Sequence, residues 1–242
     1  MEETEEIEVK EMYFNLELNS FLSISNSFIG NTKAKTRDPI LVFDIDDTIY
    51  NFKDNLREKY LHCLDDFARN NNIRKEIYGD YYETYGHESL GFFINHRIPP
   101  AVYFNMIDKK VFKDFDPLVD NELINLLKSI DYKKYGFTNG YHKSIYGVLQ
   151  KMQMLDLFEK ILHPDYDNAE ELIIKPHPES FSFVERYLNT EGENIYFFDD
   201  NKKNYKAALE RGWNAYLVSP STLKDFVKIA MRKIQKNAQK SS

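Results

Sequence analysis

Ile40-Leu41-Val42-Phe43-Asp44-Ile45-Asp46-Asp47-Thr48-Ile49-Tyr50 is the stretch on which the fold turns. Four large apolar residues follow Pro39 and read as a buried strand of a parallel sheet covered on both faces. The run ends in three carboxylates within four positions. In an extended backbone, residues two apart point the same way, so Asp44 and Asp46 project together at the strand's C-terminal end. Open α/β sheets place their ligands at that end. Two anions held this close repel unless a cation or a proton separates them. One reading is a metal-assisted site, with one carboxylate as nucleophile and the other as proton donor. The other is an Asp-rich turn that caps the next helix through Asp47 or Thr48.

Downstream of this stretch, Leu56, Tyr60, Leu64 and Phe67 recur at helical spacing, and helical text continues through Tyr78, Tyr82, Phe92 and Phe93 to the break at Pro99-Pro100. Val102 to Val111 resumes it, and no strand alternation precedes Tyr132. Residues 53–115 therefore read as a helical insertion. Leu118 to Ile130 is an amphipathic helix with Leu118, Leu123, Leu126, Leu127 and Ile130 on its apolar face. Short strands follow at Lys134 to Gly140, ending in a hydroxyl and a turn, at Ile161-Leu162, at Ile195 to Asp200, ending in paired carboxylates, and at Asn214 to Val218. Between them lie helical segments from His142 to Leu155, from the Lys175-Pro176-His177-Pro178 opening through Leu188 with proline in the first turn, and from Asn204 to Glu210. Strands alternating with helices predict an α/β fold with a mostly parallel sheet. Residues 39–52 and 116–222 would form the core domain. Residues 223–242 read as a basic amphipathic helix and tail docked on the protein's own domain, and residues 1–38 as a flexible N-terminal extension with room for one short helix against the body.

A chain of 242 residues with 42% hydrophobic content can bury one good core plus an inserted subdomain. A net charge of −7 argues against nucleic acid as a partner. Cys63 is the only cysteine, so no intrachain disulfide forms. No apolar run reaches the length of a membrane span, and the acidic N-terminus lacks the basic region of a signal peptide. The expected location is the cytoplasm, with the nucleus left open.

Four separated pieces share one geometry. Asp44/Asp46, Thr138/Asn139 and Asp199/Asp200 each end a predicted parallel strand, and Lys175 precedes a proline-initiated helix. Parallel strands bring their C-terminal ends to one edge, so the four converge there. Asp44 and Asp199 could share a hard cation such as Mg²⁺. Thr138 and nearby N–H groups could hold phosphate oxygens, and Lys175 could balance the charge of nucleophile and substrate.

This arrangement resembles the haloacid dehalogenase superfamily of phosphohydrolases. Asp44-Ile45-Asp46-Asp47-Thr48 resembles its first motif and Phe137-Thr138-Asn139 its second. Lys175-Pro176-His177-Pro178 resembles the third, often Lys-Pro-Asp-Pro, and Asp199-Asp200-Asn201 with Asn204 the fourth, commonly Asp-Asp-Ser-x-x-Asn. His177 and Asn201 depart from the common pattern without removing a metal ligand. The resemblance implies a Rossmann-like core with a helical C1 cap after the first strand. It implies a Mg²⁺-dependent phosphatase in which Asp44 becomes phospho-aspartate and Asp46 is acid and then base. Thr138 and Lys175 would hold the phosphoryl group. Mg²⁺ would be held by the carboxylates of Asp44 and Asp199 and the backbone carbonyl of Asp46, with Asp200 completing the shell.

A narrower resemblance is to the pyrimidine 5′-nucleotidase branch. It rests on Phe43 to Tyr50, Tyr82-Glu83-Thr84-Tyr85-Gly86 and Phe137-Thr138-Asn139-Gly140-Tyr141. It implies a small phosphorylated metabolite as partner, with UMP or CMP first. Substrate contacts are expected from Thr138, Asn139, Lys175, Tyr82, Tyr85 and His87, with Ser89 and Arg97 as further polar candidates. Tyr78, Tyr81, Phe92 and Phe93 could add base stacking or simply pack the cap. A phosphatase for another small metabolite and a phosphomutase fit the same motifs, a metal-free dehalogenase fits Asp44 alone, and a catalytically silent binding module would have lost Asp44 or Asp46.

Overall fold

The computed structural model describes residues 20–25, 28, 30, 34–168, 170 and 172–241. Its centre is the strand that the sequence announces. Ile40–Phe43 (β2) lies in the middle of a sheet whose other strands are Phe21–Ile24 (β1), Lys134–Phe137 (β3), Lys160–Pro164 (β4), Ile195–Asp199 (β5) and Asn214–Leu217 (β6). The spatial order is β1-β4-β3-β2-β5-β6, and every pairing is parallel. The order runs outward from β2 in both directions, through β3 and β4 on one side and β5 and β6 on the other. The carboxyl ends of β2, β3 and β5 therefore meet at the centre of one edge, where such sheets bind ligands.

Alternation along β2 builds two separate cores. Leu41 and Phe43, continued by Ile45, join one cluster with Tyr196, Phe198 and Ile161. That cluster is covered by the helices Asn121–Lys128, His142–Lys151 and Leu223–Ser241. Ile40 and Val42 face the other way and pack with Phe137, Phe197, Phe181 and Trp213 under Pro178–Leu188 and Lys202–Glu210. Phe43 and Phe198, opposite one another in register, stack with ring centres 4.8 Å apart. This aromatic pair sits directly beneath Asp44 and Asp199.

In chain order the helices are α1 (Phe52–Asn70), α2 (Lys75–Tyr78), α3 (Tyr81–Tyr85), α4 (Glu88–His96), α5 (Pro100–Met106) and α6 (Asp108–Phe112), all within the insertion. The core follows with α7 (Asn121–Lys128), α8 (His142–Lys151), α9 (Pro178–Leu188), α10 (Lys202–Glu210) and α11 (Leu223–Ser241). The insertion has its own aromatic core, in which Phe67, Tyr78, Tyr81, Phe92, Tyr103 and Phe104 are buried. Tyr141 and Tyr166 from the sheet domain join that cluster and tie the two parts together.

Two sequence expectations need correction. Residues 1–38 are not all a flexible extension, and the segment that meets the body is a strand, not the expected short helix. Phe21–Ile24 is the edge strand of the sheet, paired with β4, and Thr36 bridges Thr190. A four-residue strand flanked by Ser and Asn gives too short a pattern to read, and its partner lies about 140 positions away. Residues 1–19 of that expectation lie outside the described residues. Leu118 is not on the apolar face of a helix, because α7 begins only at Asn121, behind an Asp120 cap that accepts the Leu123 N–H, and Leu118 is 88% exposed.

Leu223, Val227, Ala230 and Ile234 of α11 are buried in the first core cluster, so the basic helix docks on its own domain. No described helix is long and apolar enough to cross a membrane. Ile234→Ala removes buried methyl groups and is expected to cost about 2–5 kcal/mol of unfolding free energy, whereas Lys233→Ala on the same helix, an exposed position, changes it by less than about 0.5 kcal/mol. Chemical denaturation of the two variants checks this, and equal midpoints would mean that the helix is not part of the cooperative core.

Candidate active site

β2 ends at Phe43, and the Asp44 N–H still donates to Phe198 carbonyl at 2.9 Å, so the first carboxylate is positioned by the ladder itself. The chain then turns, with Asp47 in the left-handed region at φ 55°. This separates the two functions of the acidic run. Asp47 Oδ1 accepts the Lys53 N–H at 2.8 Å and so helps to start α1, whose N-cap is Asn51, not Asp47 or Thr48. Asp44 and Asp46 remain free for the site. Thr48 Oγ1 donates to Asp44 Oδ2 at 3.2 Å, and the Tyr50 hydroxyl donates to Asp46 Oδ1.

Lys175 crosses from the loop before α9 into the centre. Its Nζ donates to Asp44 Oδ1 at 2.7 Å, to Asp199 Oδ2 at 2.8 Å and to Phe137 carbonyl at 2.5 Å. The side chain is 1% exposed and lies 4.9 Å from the Phe137 ring centre. Burial alone would pull its pKa down, but the carboxylates of Asp199 and Asp44 more than reverse this and hold the ammonium charged. Asn139 sets the reach of the lysine. Its Nδ2 donates to Lys175 carbonyl at 2.8 Å and its Oδ1 accepts the Lys175 N–H at 2.9 Å. Asn139, expected to touch substrate, is thus occupied in clamping the backbone of Lys175. Thr138, fully buried, accepts the Gly140 N–H on its Oγ1 at 2.8 Å.

The paired acids of β5 do not stay on opposite sides. The chain bends after Asp199, and Asp44, Asp199 and Asp200 each bring one oxygen to within 4.8 Å of the others. Their surroundings differ. Asp199 is fully buried, and both of its oxygens are engaged, by Lys175, by the Asn201 N–H at 2.8 Å and by Asn204 Nδ2 at 3.1 Å. Asp200 is partly exposed and pairs with Lys53 Nζ at 2.5 Å. Burial pushes the Asp44 carboxyl well up despite Lys175, and the charges of Asp199, Asp200 and Asp46 push it further. Burial raises Asp46 to about 6, against the opposing hydrogen bond from Tyr50. Three carboxylate oxygens in mutual reach, with repulsion left over after one buried lysine, are the donor set that a hard divalent cation fits.

The insertion meets this site through α3. Asn201 caps α10 by accepting the Lys203 N–H and also donates Nδ2 to the Tyr82 hydroxyl at 3.1 Å. Lys203 Nζ binds Glu83 Oε2 at 2.8 Å. Tyr82 therefore lies against the fourth motif. Tyr85 packs edge-on against Tyr81 and accepts from Asn95 Nδ2 at 3.1 Å. His87 caps α4, taking the Ser89 N–H on Nδ1 at 3.1 Å, among the rings of Tyr103, Phe104 and Tyr166. Ser89 is fully buried and Arg97 is the exposed C-cap of α4. Tyr78, Tyr81 and Phe92 are cap core. His177 is on the surface, paired with Glu179.

Sequence reasoning missed Tyr50 as partner of Asp46, Lys53 as partner of Asp200, and Tyr166, whose hydroxyl donates to Asn139 carbonyl. Only Tyr50 left a local signal, being four residues beyond Asp46 in the same turn.

The haloacid dehalogenase-like hydrolase family model matches residues 39–212, and the chain belongs to that family. Among solved structures, a haloacid dehalogenase-like hydrolase from Xanthomonas campestris aligns with TM-score 0.54 at 13% identity, over 88% of this chain and 98% of that one. The putative HAD-hydrolase YfnB from Bacillus subtilis, bound to magnesium, aligns with TM-score 0.50 at 17% identity, over 76% and 93%. An L-2-haloacid dehalogenase from Xanthobacter autotrophicus aligns with TM-score 0.49 at 13% identity, over 74% and 76%. At these identities the likeness is one of fold.

Gly140 is held tightly by this geometry, because a Cβ added there would lie 2.7 Å from Asp46 Oδ2 and from Ile145 Cδ1. Gly140→Ala is expected to lower kcat at least about tenfold, equivalent to 1.4 kcal/mol of barrier, by displacing the Asp46 carboxylate. Steady-state kinetics check it, and an unchanged kcat would show that the position of Asp46 does not matter.

Proposed function

We propose that this hydrolase is a Mg²⁺-dependent phosphomonoester hydrolase acting through an aspartyl-phosphate on Asp44. The observation that carries the reading is the gathering of Asp44, Asp199 and Asp200 around the buried ammonium of Lys175. Asp44 and Asp200 would hold the cation with the Asp46 backbone carbonyl. Asp199, the most heavily engaged of the three with Lys175, the Asn201 N–H and Asn204 Nδ2 on its oxygens, serves mainly as the countercharge that orients Lys175. The family resemblance implies the reverse, with Asp199 as direct ligand and Asp200 completing the shell. The ion, when bound, neutralises charge so that an anionic nucleophile can approach an anionic ester.

The residues then have definite tasks. An oxygen of Asp44 attacks phosphorus in line, and the bond to the leaving oxygen breaks. Asp46 gives that oxygen its proton. Asp46 next takes a proton from water, which attacks the phospho-aspartate, releases inorganic phosphate and restores Asp44. Lys175 and the N–H groups around Thr138 steady the phosphoryl oxygens.

A nucleoside 5′-monophosphate, UMP or CMP first, is the proposed substrate. The branch resemblance supports it, and so does the placement of Tyr82, a half-exposed ring fixed above the fourth motif by Asn201. A dehalogenase reading shares Asp44 but leaves Asp200 and Asp46 without a task.

Chelation is expected to abolish phosphate release from p-nitrophenyl phosphate, and Mg²⁺ to restore it. Asp200→Asn should weaken Mg²⁺ binding at least about tenfold, while Asp199→Asn chiefly lowers Tm by uncovering Lys175. Full turnover in excess chelator, or halide release from 2-chloropropionate in place of phosphate release, sinks the proposal.

For the substrate, kcat/KM for UMP and CMP should exceed that for AMP, GMP and a sugar phosphate by about tenfold. Tyr82→Ala should remove most of that preference, since one stacked base is worth about 1–3 kcal/mol. If all five compounds fall within about threefold of one another, the nucleotidase reading fails while the phosphatase reading stands.

A further inference from the structure

A cleft of about 540 Å³ runs along the seam between the insertion and the core, a volume in the range of small-ligand sites. One wall is α5 and α6 of the insertion, and the other is α8 of the core. Its floor is aromatic. Phe104 from the insertion stacks on Tyr141 from the core, with centres 4.5 Å apart and planes 3° from parallel. Phe112 and Phe115 meet edge-on beside them at 6.1 Å.

The polar lining is one-sided. Lys109, Lys113, Lys143 and Lys151 stand around the cleft, all exposed. Among the described residues none of the four belongs to an ion pair, although the protein as a whole carries a net charge of −7. Lys143 Nζ lies 5.8 Å from the Tyr141 ring centre, and Lys151 Nζ donates to Phe115 carbonyl at 2.5 Å. The one carboxyl in the lining, Asp108, is buried, accepts the Ser144 hydroxyl at 2.6 Å, and is raised by burial to about 7, so it carries only part of a charge near neutrality.

We propose that this cleft is a second binding site, separate from the Asp44 centre, for a ligand that joins a flat ring to a polyanionic group, the chemistry of a nucleoside diphosphate. The ring lies against Phe112 and Phe115, the half-buried rings of the lining, where aromatic contact and apolar burial hold it. The oxyanions reach the lysines at the mouth, where each ammonium lacks a carboxylate and so loses no existing pair on binding. The site is built by both parts of the protein, so a bound ligand would bridge them. It is one ring removed from the chemistry, since Phe115 packs at 5.7 Å against Tyr50, whose hydroxyl holds Asp46. The inference does not depend on which phosphate ester is hydrolysed.

The test is calorimetric titration of the full chain, in chelator, with adenosine 5′-(α,β-methylene)diphosphate, whose bridging carbon removes the hydrolysable anhydride. Saturable binding is expected, weakening with added salt. Lys109→Glu with Lys143→Glu should lower the affinity at least about tenfold, and Lys143→Arg should retain it. Gly147 lines the cleft within α8, and a Cβ there would meet nothing within 4 Å. Gly147→Leu should therefore block binding sterically with Tm unchanged or raised, which keeps the test decisive if the charge reversal unfolds the protein. Asp44→Asn should leave the affinity within about twofold. No saturable heat up to about 1 mM probe, binding indifferent to the lysine and Gly147 substitutions, or binding lost in Asp44→Asn would each overturn the proposal.

Discussion

The site depends on one buried ammonium. Lys175 Nζ makes three hydrogen bonds, two to carboxylates and one to a carbonyl, which is its full donor capacity. Moving a lone charge out of water costs several kcal/mol, and it is tolerated only where the partners are arranged in advance. Here they are arranged by the sheet. Asp44, Phe137 and Asp199 lie at the ends of the three central strands, in register. The lysine is in turn aimed by Asn139, which binds both backbone groups of Lys175. Remove any of these and an uncompensated charge is left in the core.

The same arrangement leaves negative charge over. Asp44, Asp46, Asp199 and Asp200 gather around a single buried ammonium, Lys175, which pairs with two of them, and Lys53 reaches only the outer acid. The surplus is what suits this edge of the sheet to a hard cation. The insertion adds enclosure. It is anchored by Tyr82 to Asn201 and by Glu83 to Lys203, at the N-cap and in the first turn of α10. Asn201, a departure from the common family pattern, thus has a task beyond capping α10: it makes one of the contacts between the two parts of the protein.

Much of this was legible in the order of residues. The apolar run Ile40–Phe43 had to be a covered strand, and the acids after it had to lie at a sheet edge. Pro178 opening a helix and the repeated strand–helix alternation determined the class of fold and the four converging pieces, because those signals are local and periodic. The basic helix Leu223–Ser241 could be assigned to its own domain from the apolar stripe Leu223, Val227, Ala230 and Ile234.

What only the tertiary structure decided is long-range. Phe21–Ile24 is a strand because β4 offers it an edge, and nothing in four residues announces that edge. The cap aromatics fill their own core because their neighbours in space are one another, which spacing along the chain does not reveal. Asp199 and Asp200 meet the same point because the backbone bends between them, where an ideal strand would part them. Asn139 clamps Lys175 across 36 positions. Residue types and their periods determined which chemistry was available and at which end of the sheet. Which carboxylate is spent on the lysine and which remains for a cation depends on donors brought together from distant parts of the chain, and those exist only once it has folded.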